Sequence, residues 1–279
     1  MAINAKDIAE LRKSTGAGML DSKNALTEND GDIEAAKEWL RKKGLASAAK
    51  RSGRDANEGA VEVSHEGNVA TLVELICETD FVAKGEDFST ALKELNQLVY
   101  SSNDLDTVNV QDISGQTVEE YVTQLGAKLG ENISLGRVKK LVAENGIVDS
   151  YKHLQNGRGV IGVLVQIENV QDNDKAKEVA HDIALHIASA APRFLSRDEV
   201  SEEAIENEKR IIQEMAAAEG KPEAAMEKII QGRMTGFFKE SCLLDQQFVK
   251  DPSHTITQLV ESISPEAKLV GFERIKIGE

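Results

Sequence analysis

Val69-Ala70-Thr71-Leu72-Val73-Glu74-Leu75-Ile76-Cys77 alternates at period two. Val69, Thr71, Val73, Leu75 and Cys77 therefore share one side of an extended chain, since successive strand side chains point to opposite faces. Val61 to Ser64 reads as its partner strand, joined through Glu66-Gly67-Asn68. A helix follows, with Phe88, Ala91, Leu92, Leu95, Leu98 and Val99 at helical spacing. The same order returns later. A strand near Tyr151 to Leu154 turns at Asn156-Gly157, a strong hairpin signal, and Ile161, Val163, Val165 and Ile167 repeat the alternation. Ala176, Val179, Ala180, Ile183, Ala184 and Ile187 then mark a second helix. Each copy closes on a strand: one around Arg137 to Val142, after a helix near Val118 to Leu129, the other over Leu269 to Ile277. The expected fold is α+β, with two repeated subdomains over 61–147 and 148–279 rather than one continuous sheet.

Before the repeat, residues 1–44 read as a three-helix domain. Asn4 caps a helix whose apolar face is Ile8 and Leu11. Thr15-Gly16-Ala17-Gly18 turns the chain, Met19 to Glu28 forms the second helix, and Asn29-Asp30-Gly31 ends it. Asp32 caps the third, which carries Ile33, Ala36, Trp39 and Leu40 and is expected to stop at Gly44. Residues 45–60, rich in Ala, Gly, Ser and basic side chains, are expected to be a solvated linker. An insertion at about 198–240 interrupts the second copy. Its two helices, one with Ala204, Ile205, Ile211, Ile212 and Met215, the other with Met226, Ile229, Ile230, Met234 and Phe237, flank Gly220-Lys221-Pro222. They are expected to pair as an antiparallel coiled-coil hairpin with one face left for a partner or another subunit.

A chain of 279 residues has ample core for two or three domains. Its net charge of −15 repels phosphate backbones, which argues against direct nucleic-acid binding and favours a protein partner. Two distant cysteines, Cys77 and Cys242, build neither a disulfide framework nor a metal cluster. The N-terminus has no apolar run and no stretch reaches membrane-spanning length, so a cytoplasmic protein without a membrane role is expected.

Catalytic patterns are nearly lacking. Gly157-Arg158-Gly159-Val160-Ile161-Gly162 matches G-x-G-x-x-G but enters a strand from a hairpin, whereas a phosphate site needs a helix N-terminus. We read it as turn chemistry. No P-loop pattern occurs. His181 and His186, five apart on a helix, lack the spacing of a zinc pair, so neither a metal nor another cofactor is expected. Glu78-Thr79-Asp80-Phe81-Val82-Ala83-Lys84-Gly85-Glu86-Asp87 is different: a charged segment holding Phe81 and Val82 outside any periodic face. Phe81 either folds back on its own subdomain or stands out as an aromatic anchor, and the residues alone leave both open.

Thr79-Asp80-Phe81-Val82-Ala83-Lys84 and Leu11-Arg12-x-x-Thr15-Gly16-Ala17-Gly18-Met19-x-Asp21 resemble the signatures of the elongation factor Ts family. Gly31-Asp32-Ile33-Glu34-x-Ala36, Gly130-Glu131-Asn132-Ile133, Ser150-Tyr151-x-His153, Gly232-Arg233-Met234 and Gly271-Phe272 extend the likeness over nearly the whole chain. The resemblance implies a ubiquitin-associated-like N-terminal domain and a guanine-nucleotide exchange factor for elongation factor Tu, not an enzyme. It implies that Thr79, Asp80, Phe81 and Val82 form the exchange wedge. It further implies that Leu11, Arg12 and Met19 grip the partner from the N-terminal domain, and that His153 and His186 touch it from the second subdomain. Gly85 and Leu20 depart from residues common in the family, and some members carry a helix beyond the position of Glu279. Self-association is not readable from the sequence. A ubiquitin-binding-like adaptor is the rival reading, and an enzyme with a novel site in the hairpin region is a weaker third.

Overall fold

The Asn4 side chain accepts the Asp7 amide at 2.8 Å and so caps α1, Ala5–Thr15. Gly16 ends that helix at a φ of 69°, a left-handed conformation that a side chain would strain. α2 spans Met19–Glu28 and α3 spans Ile33–Arg51. Together they bury Leu11, Ala25, Leu26 and Ala36. The structure, a computed structural model, describes residues 3–51 and 53–279.

The expected stop at Gly44 is corrected here: the first part of the expected linker is helical, while Lys50, Gly53, Arg54, Asp55 and Asn57 lie exposed as a solvated segment would. α3 runs on to Arg51, and the first strand begins at Glu58. Alanine-rich sequence has the highest helix propensity, which offsets the roughly 1 kcal/mol that one interior glycine costs. Gly44 has a packing role instead: a Cβ there would stand 3.2 Å from the Ala127 Cβ. Two of the linker's basic residues are engaged, Arg51 with the Gly126 carbonyl at 3.3 Å and Arg54 with Glu78 at 3.4 Å.

β1 (Glu58–Glu66) and β2 (Val69–Cys77) form an antiparallel hairpin. After them come α4 (Asp80–Ala83), α5 (Glu86–Ser101), a short ribbon of β3 (Asp112–Ile113) and β4 (Gln116–Thr117), α6 (Val118–Leu129) and β5 (Ser134–Val142). β5 pairs with β2, so the sheet order is β1-β2-β5. The second copy repeats the plan. β6 (Gly146–Gln155) and β7 (Arg158–Glu168) form the hairpin, with Asn156 and Gly157 both at positive φ as a tight turn requires. α7 (Asp174–Ala190), the helical pair α8 (Glu202–Ala218) and α9 (Met226–Ser241), and α10 (Ile256–Glu261) precede β8 (Lys268–Lys276), and the order is β6-β7-β8.

The alternation in β2 reports only half of its burial. Val73, Leu75 and Cys77 face Phe88, Leu92 and Leu95 of α5 and Val122 of α6. Ala70 and Leu72, on the other face, pack with Val61, Val148, Leu164 and Ile275 in a core between the two sheets. Both faces are covered, so both must be apolar. The sheets approach closely because β7 lacks side chains where they touch. A Cβ on Gly162 would stand 2.3 Å from Leu72, and one on Gly159 would stand 2.3 Å from the Val61 carbonyl. Ion pairs close the rims: Glu58–Arg158 at 2.5 Å, Glu62–Lys152, and Lys139–Glu273 at 3.1 Å.

In the helical pair, Ile212 and Ala216 of α8 and Met234 of α9 are buried. Met215, expected in that stripe, is exposed instead, because the seam passes one position farther along. No helix among the described residues is long and apolar enough to cross a membrane.

Candidate partner-binding site

Cys77 ends β2 as a buried thiol that donates to the Thr79 carbonyl at 3.2 Å. Burial first, and the Glu131 carboxylate second, push this thiol up to about 12, which makes it an unreactive packing group. The chain then leaves the sheet as a single helical turn, α4, rather than an irregular loop. Thr79 is its N-cap and accepts the Val82 amide at 3.4 Å. Glu131, on the connection from α6 to β5, accepts the Glu78 and Thr79 amides at 3.0 and 3.1 Å and the Thr79 hydroxyl at 2.5 Å.

This turn sorts the four expected wedge residues into two pairs. Thr79 is committed to the cap and to Glu131. Val82 is turned inward against the core of the first subdomain, with buried Ala83 beside it. Both are half-buried and anchor the turn in the free chain, because one turn of helix places successive side chains about 100° apart. Asp80 and Phe81 remain outward. Phe81 is 82% exposed, which removes the reading that it folds back on its own subdomain. Lys84 donates to Asp80 at 2.5 Å, and that hydrogen bond holds the carboxyl below the usual carboxylate range, against the opposing effect of desolvation.

The N-terminal unit presents a second apolar point. Met19 and Leu20, directly after the Gly16-Ala17-Gly18 turn, are 64% and 70% exposed, and Arg12 lies exposed on α1. Leu11 is 0% exposed and belongs to the core of the three helices, so its expected role as a contact is corrected. Its place on the apolar face of α1 carried that signal already. The unit is seated on α6. A Cβ on Gly16 would stand 2.9 Å from the Lys128 side chain, Arg41 pairs with Glu120, and Lys128 itself reaches Asp87 at the start of α5 at 2.7 Å. The turn bearing Met19 is thus braced on α6, and the turn bearing Phe81 on Glu131, just past the end of that helix. A cleft of about 840 Å³ lies between α6 and the N-terminal helices, lined by residues that include Gly18, Lys37, Arg41 and Ala127.

His153 stands apart, exposed on β6, with the Tyr151 hydroxyl 3.1 Å from its Nδ1 and exposed Leu154 beyond it. His186 is not on this surface. It is 2% exposed, its Nδ1 accepts the Val249 amide at 3.2 Å, and its Nε2 therefore donates to Gln246 at 2.8 Å. Burial holds its pKa below the usual histidine value. The expected contact is corrected, since α7 buries the face that carries Ile183, Ile187 and His186 alike. Glu131 is the residue that sequence reasoning passed over: it stood in a quoted motif without a role.

A family model described as Elongation factor TS matches residues 78–279. A protein named Elongation factor Ts from Magnetococcus marinus is 42% identical over all of this chain and 94% of its own length. One of the same name from Clostridium botulinum is 45% identical over 99% of this chain and 93% of its own. A third, from Micrococcus luteus, is 44% identical over 98% of both. The chain belongs to the elongation factor Ts family, the nucleotide exchange factors of translation elongation.

Proposed function

We propose that the chain binds elongation factor Tu in its GDP form and releases the nucleotide by inserting Phe81 beside the magnesium and phosphate site. The observation that carries this reading is Phe81 itself, a large apolar ring left 82% exposed on a turn held by its Thr79 cap at one end and buried Ala83 at the other. An exposed aromatic on a held backbone is the usual form of a binding hot spot, because little ordering entropy is lost when it is buried. Asp80 adds a carboxylate that stays ionised beside the ring, and a negative charge brought to a metal–phosphate site opposes both phosphate and metal geometry. Arg12, Met19 and Leu20 on one side and His153 on the other supply the grip, and their binding energy offsets the cost of disrupting the phosphate site. No covalent step is needed, and the setting is the cytoplasm, with neither nucleic acid nor membrane as ligand.

Factor and nucleotide then compete through one partner, so each weakens the other's equilibrium binding by the same factor. The test is release of fluorescent GDP from elongation factor Tu. Adding the chain should speed release, and titrating GDP into the complex should displace the chain, with magnesium favouring displacement. An adaptor would bind equally well with or without GDP, since a ligand without differential affinity shifts nothing. Binding indifferent to GDP at every magnesium concentration overturns the exchange reading.

A further inference from the structure

We infer that Glu131 is the positioning residue that aims Phe81, an inference that rests on the exchange reading above. A four-residue helix does not hold its own direction: forming one turn fixes about six dihedrals for a single hydrogen bond. The direction of α4 must come from what grips its ends. At its far end, Ala83 is buried and the Lys84 amide closes on the Asp80 carbonyl. At its near end the grip is Glu131. One carboxylate oxygen takes the two successive amides of Glu78 and Thr79, and the other takes the Thr79 hydroxyl. That hydroxyl oxygen is the cap of α4, so Glu131 fixes the cap and the cap fixes the turn that carries Phe81.

The clasp is reciprocal. Glu78 accepts the Asn132 amide at 2.6 Å, and the Asn132 side chain donates to the Arg54 carbonyl at 3.0 Å. The chain leaving α3 is therefore tied into the same network. Close approach is built in as well, since a Cβ on Gly126 would stand 3.0 Å from the Glu131 carbonyl. Among the described residues Glu131 forms no ion pair. Its charge is satisfied by three protein donors at the foot of α4, and charge-assisted bonds of this kind are the stronger ones. A core needs no carboxylate at such a point, but a turn that must stay aimed under load from a partner does.

The experiment compares wild type, Glu131→Ala, Glu131→Gln, Phe81→Ala and the double variant Phe81→Ala/Glu131→Ala. GDP release from elongation factor Tu is measured against factor concentration, alongside thermal unfolding and amide hydrogen exchange over residues 78–82. Glu131→Ala should lower the maximal release rate roughly tenfold, about one lost charge-assisted anchor. The half-saturating concentration should stay within about twofold, because the other grips are untouched. Glu131→Gln keeps one acceptor oxygen and should fall between. Amides 78–82 should exchange faster in Glu131→Ala, and in the Phe81→Ala background the second change should cost nothing further. Equal loss in both backgrounds, or a melting temperature that falls together with affinity, overturns the positioning role, and Glu131→Gln decides the matter if the alanine variant does not fold. A wild-type chain that leaves GDP release unchanged overturns the exchange reading and this role with it. An active wild type with an equally active Glu131→Ala overturns this role alone.

Discussion

Lys84 reaches back one helical turn to Asp80, its ammonium 2.5 Å from the carboxylate and 5.9 Å from the centre of the Phe81 ring. Three side chains of different chemistry thus meet on the outside of α4, and they can be separated by substitution. Phe81→Ala removes a ring that buries almost nothing in the free chain. Its stability should stay within about 0.5 kcal/mol of wild type, as at other surface sites. A core phenylalanine would cost roughly 3–5 kcal/mol. GDP release should fall sharply. Thermal unfolding and release kinetics on the same sample check both, and a large fall in melting temperature would show that the ring packs against the protein in solution.

Leu11 and Arg12 are neighbours in sequence with opposite fates. Leu11→Ala should cost roughly 2–5 kcal/mol in the three-helix unit, since it empties the centre of a core with few other buried residues. Arg12→Ala should leave stability within about 0.5 kcal/mol and weaken partner binding. Urea unfolding of the N-terminal unit, followed by Trp39 fluorescence, separates the two. A Leu11→Ala chain that keeps its stability but loses the partner would restore Leu11 as a contact.

His186 gives the protein a pH dependence whose sign is fixed by burial. Its folded pKa lies below the ordinary 6.5 because desolvation disfavours the imidazolium. The unfolded chain therefore binds more protons in the window between the folded pKa and 6.5, and stability rises with pH there. The contribution is complete above 6.5 and is lost as pH falls toward the folded pKa. His186→Gln should flatten this part of the profile of urea midpoint against pH. A wild-type profile that is flat between pH 5 and 7 would mean that imidazole is solvated in the folded state.

The particular residues show which features a single sequence discloses. The alternation over Val69–Cys77 and the Asn156-Gly157 turn disclosed both hairpins, because strand period and turn chemistry are local. The length of α3 did not come through, because Gly44 is a stop signal only where no neighbouring helix rewards its missing Cβ. The pairing of Ala70 and Leu72 with the second sheet was equally hidden, as was the burial of His186. Each depends on what lies across an interface, and no local pattern encodes that. Phe81 was visible as a residue without a periodic face, while Glu131 was not, since a carboxylate that binds amides looks the same in sequence as one that faces water.

The Gly157-Arg158-Gly159-Val160-Ile161-Gly162 run supplies the last test, because its glycines serve packing and turn geometry rather than phosphate. Gly157 sits in open space at a φ of 84°, so alanine there meets only the backbone strain of a left-handed residue, about 1–2 kcal/mol. Gly159 is different. Its added Cβ would lie 2.3 Å from the Val61 carbonyl oxygen, a backbone atom on β1 that cannot rotate away. Arg158 makes yielding harder still, since it donates to the Gly59 carbonyl at 2.7 Å and pairs with Glu58, pinning the same stretch of β1. The sheets would have to part at this rim, loosening the packing of Val61 against Leu164 and Ile275. Overpacking of this kind costs about 1–3 kcal/mol or more, so Gly159→Ala should be the less stable variant despite its ordinary φ. Urea unfolding of the two variants decides the order. If these glycines instead made a dinucleotide site, substitution would change nucleotide affinity and leave the unfolding midpoint alone. A Gly159→Ala chain as stable as wild type would show that the two sheets do not meet as closely as this.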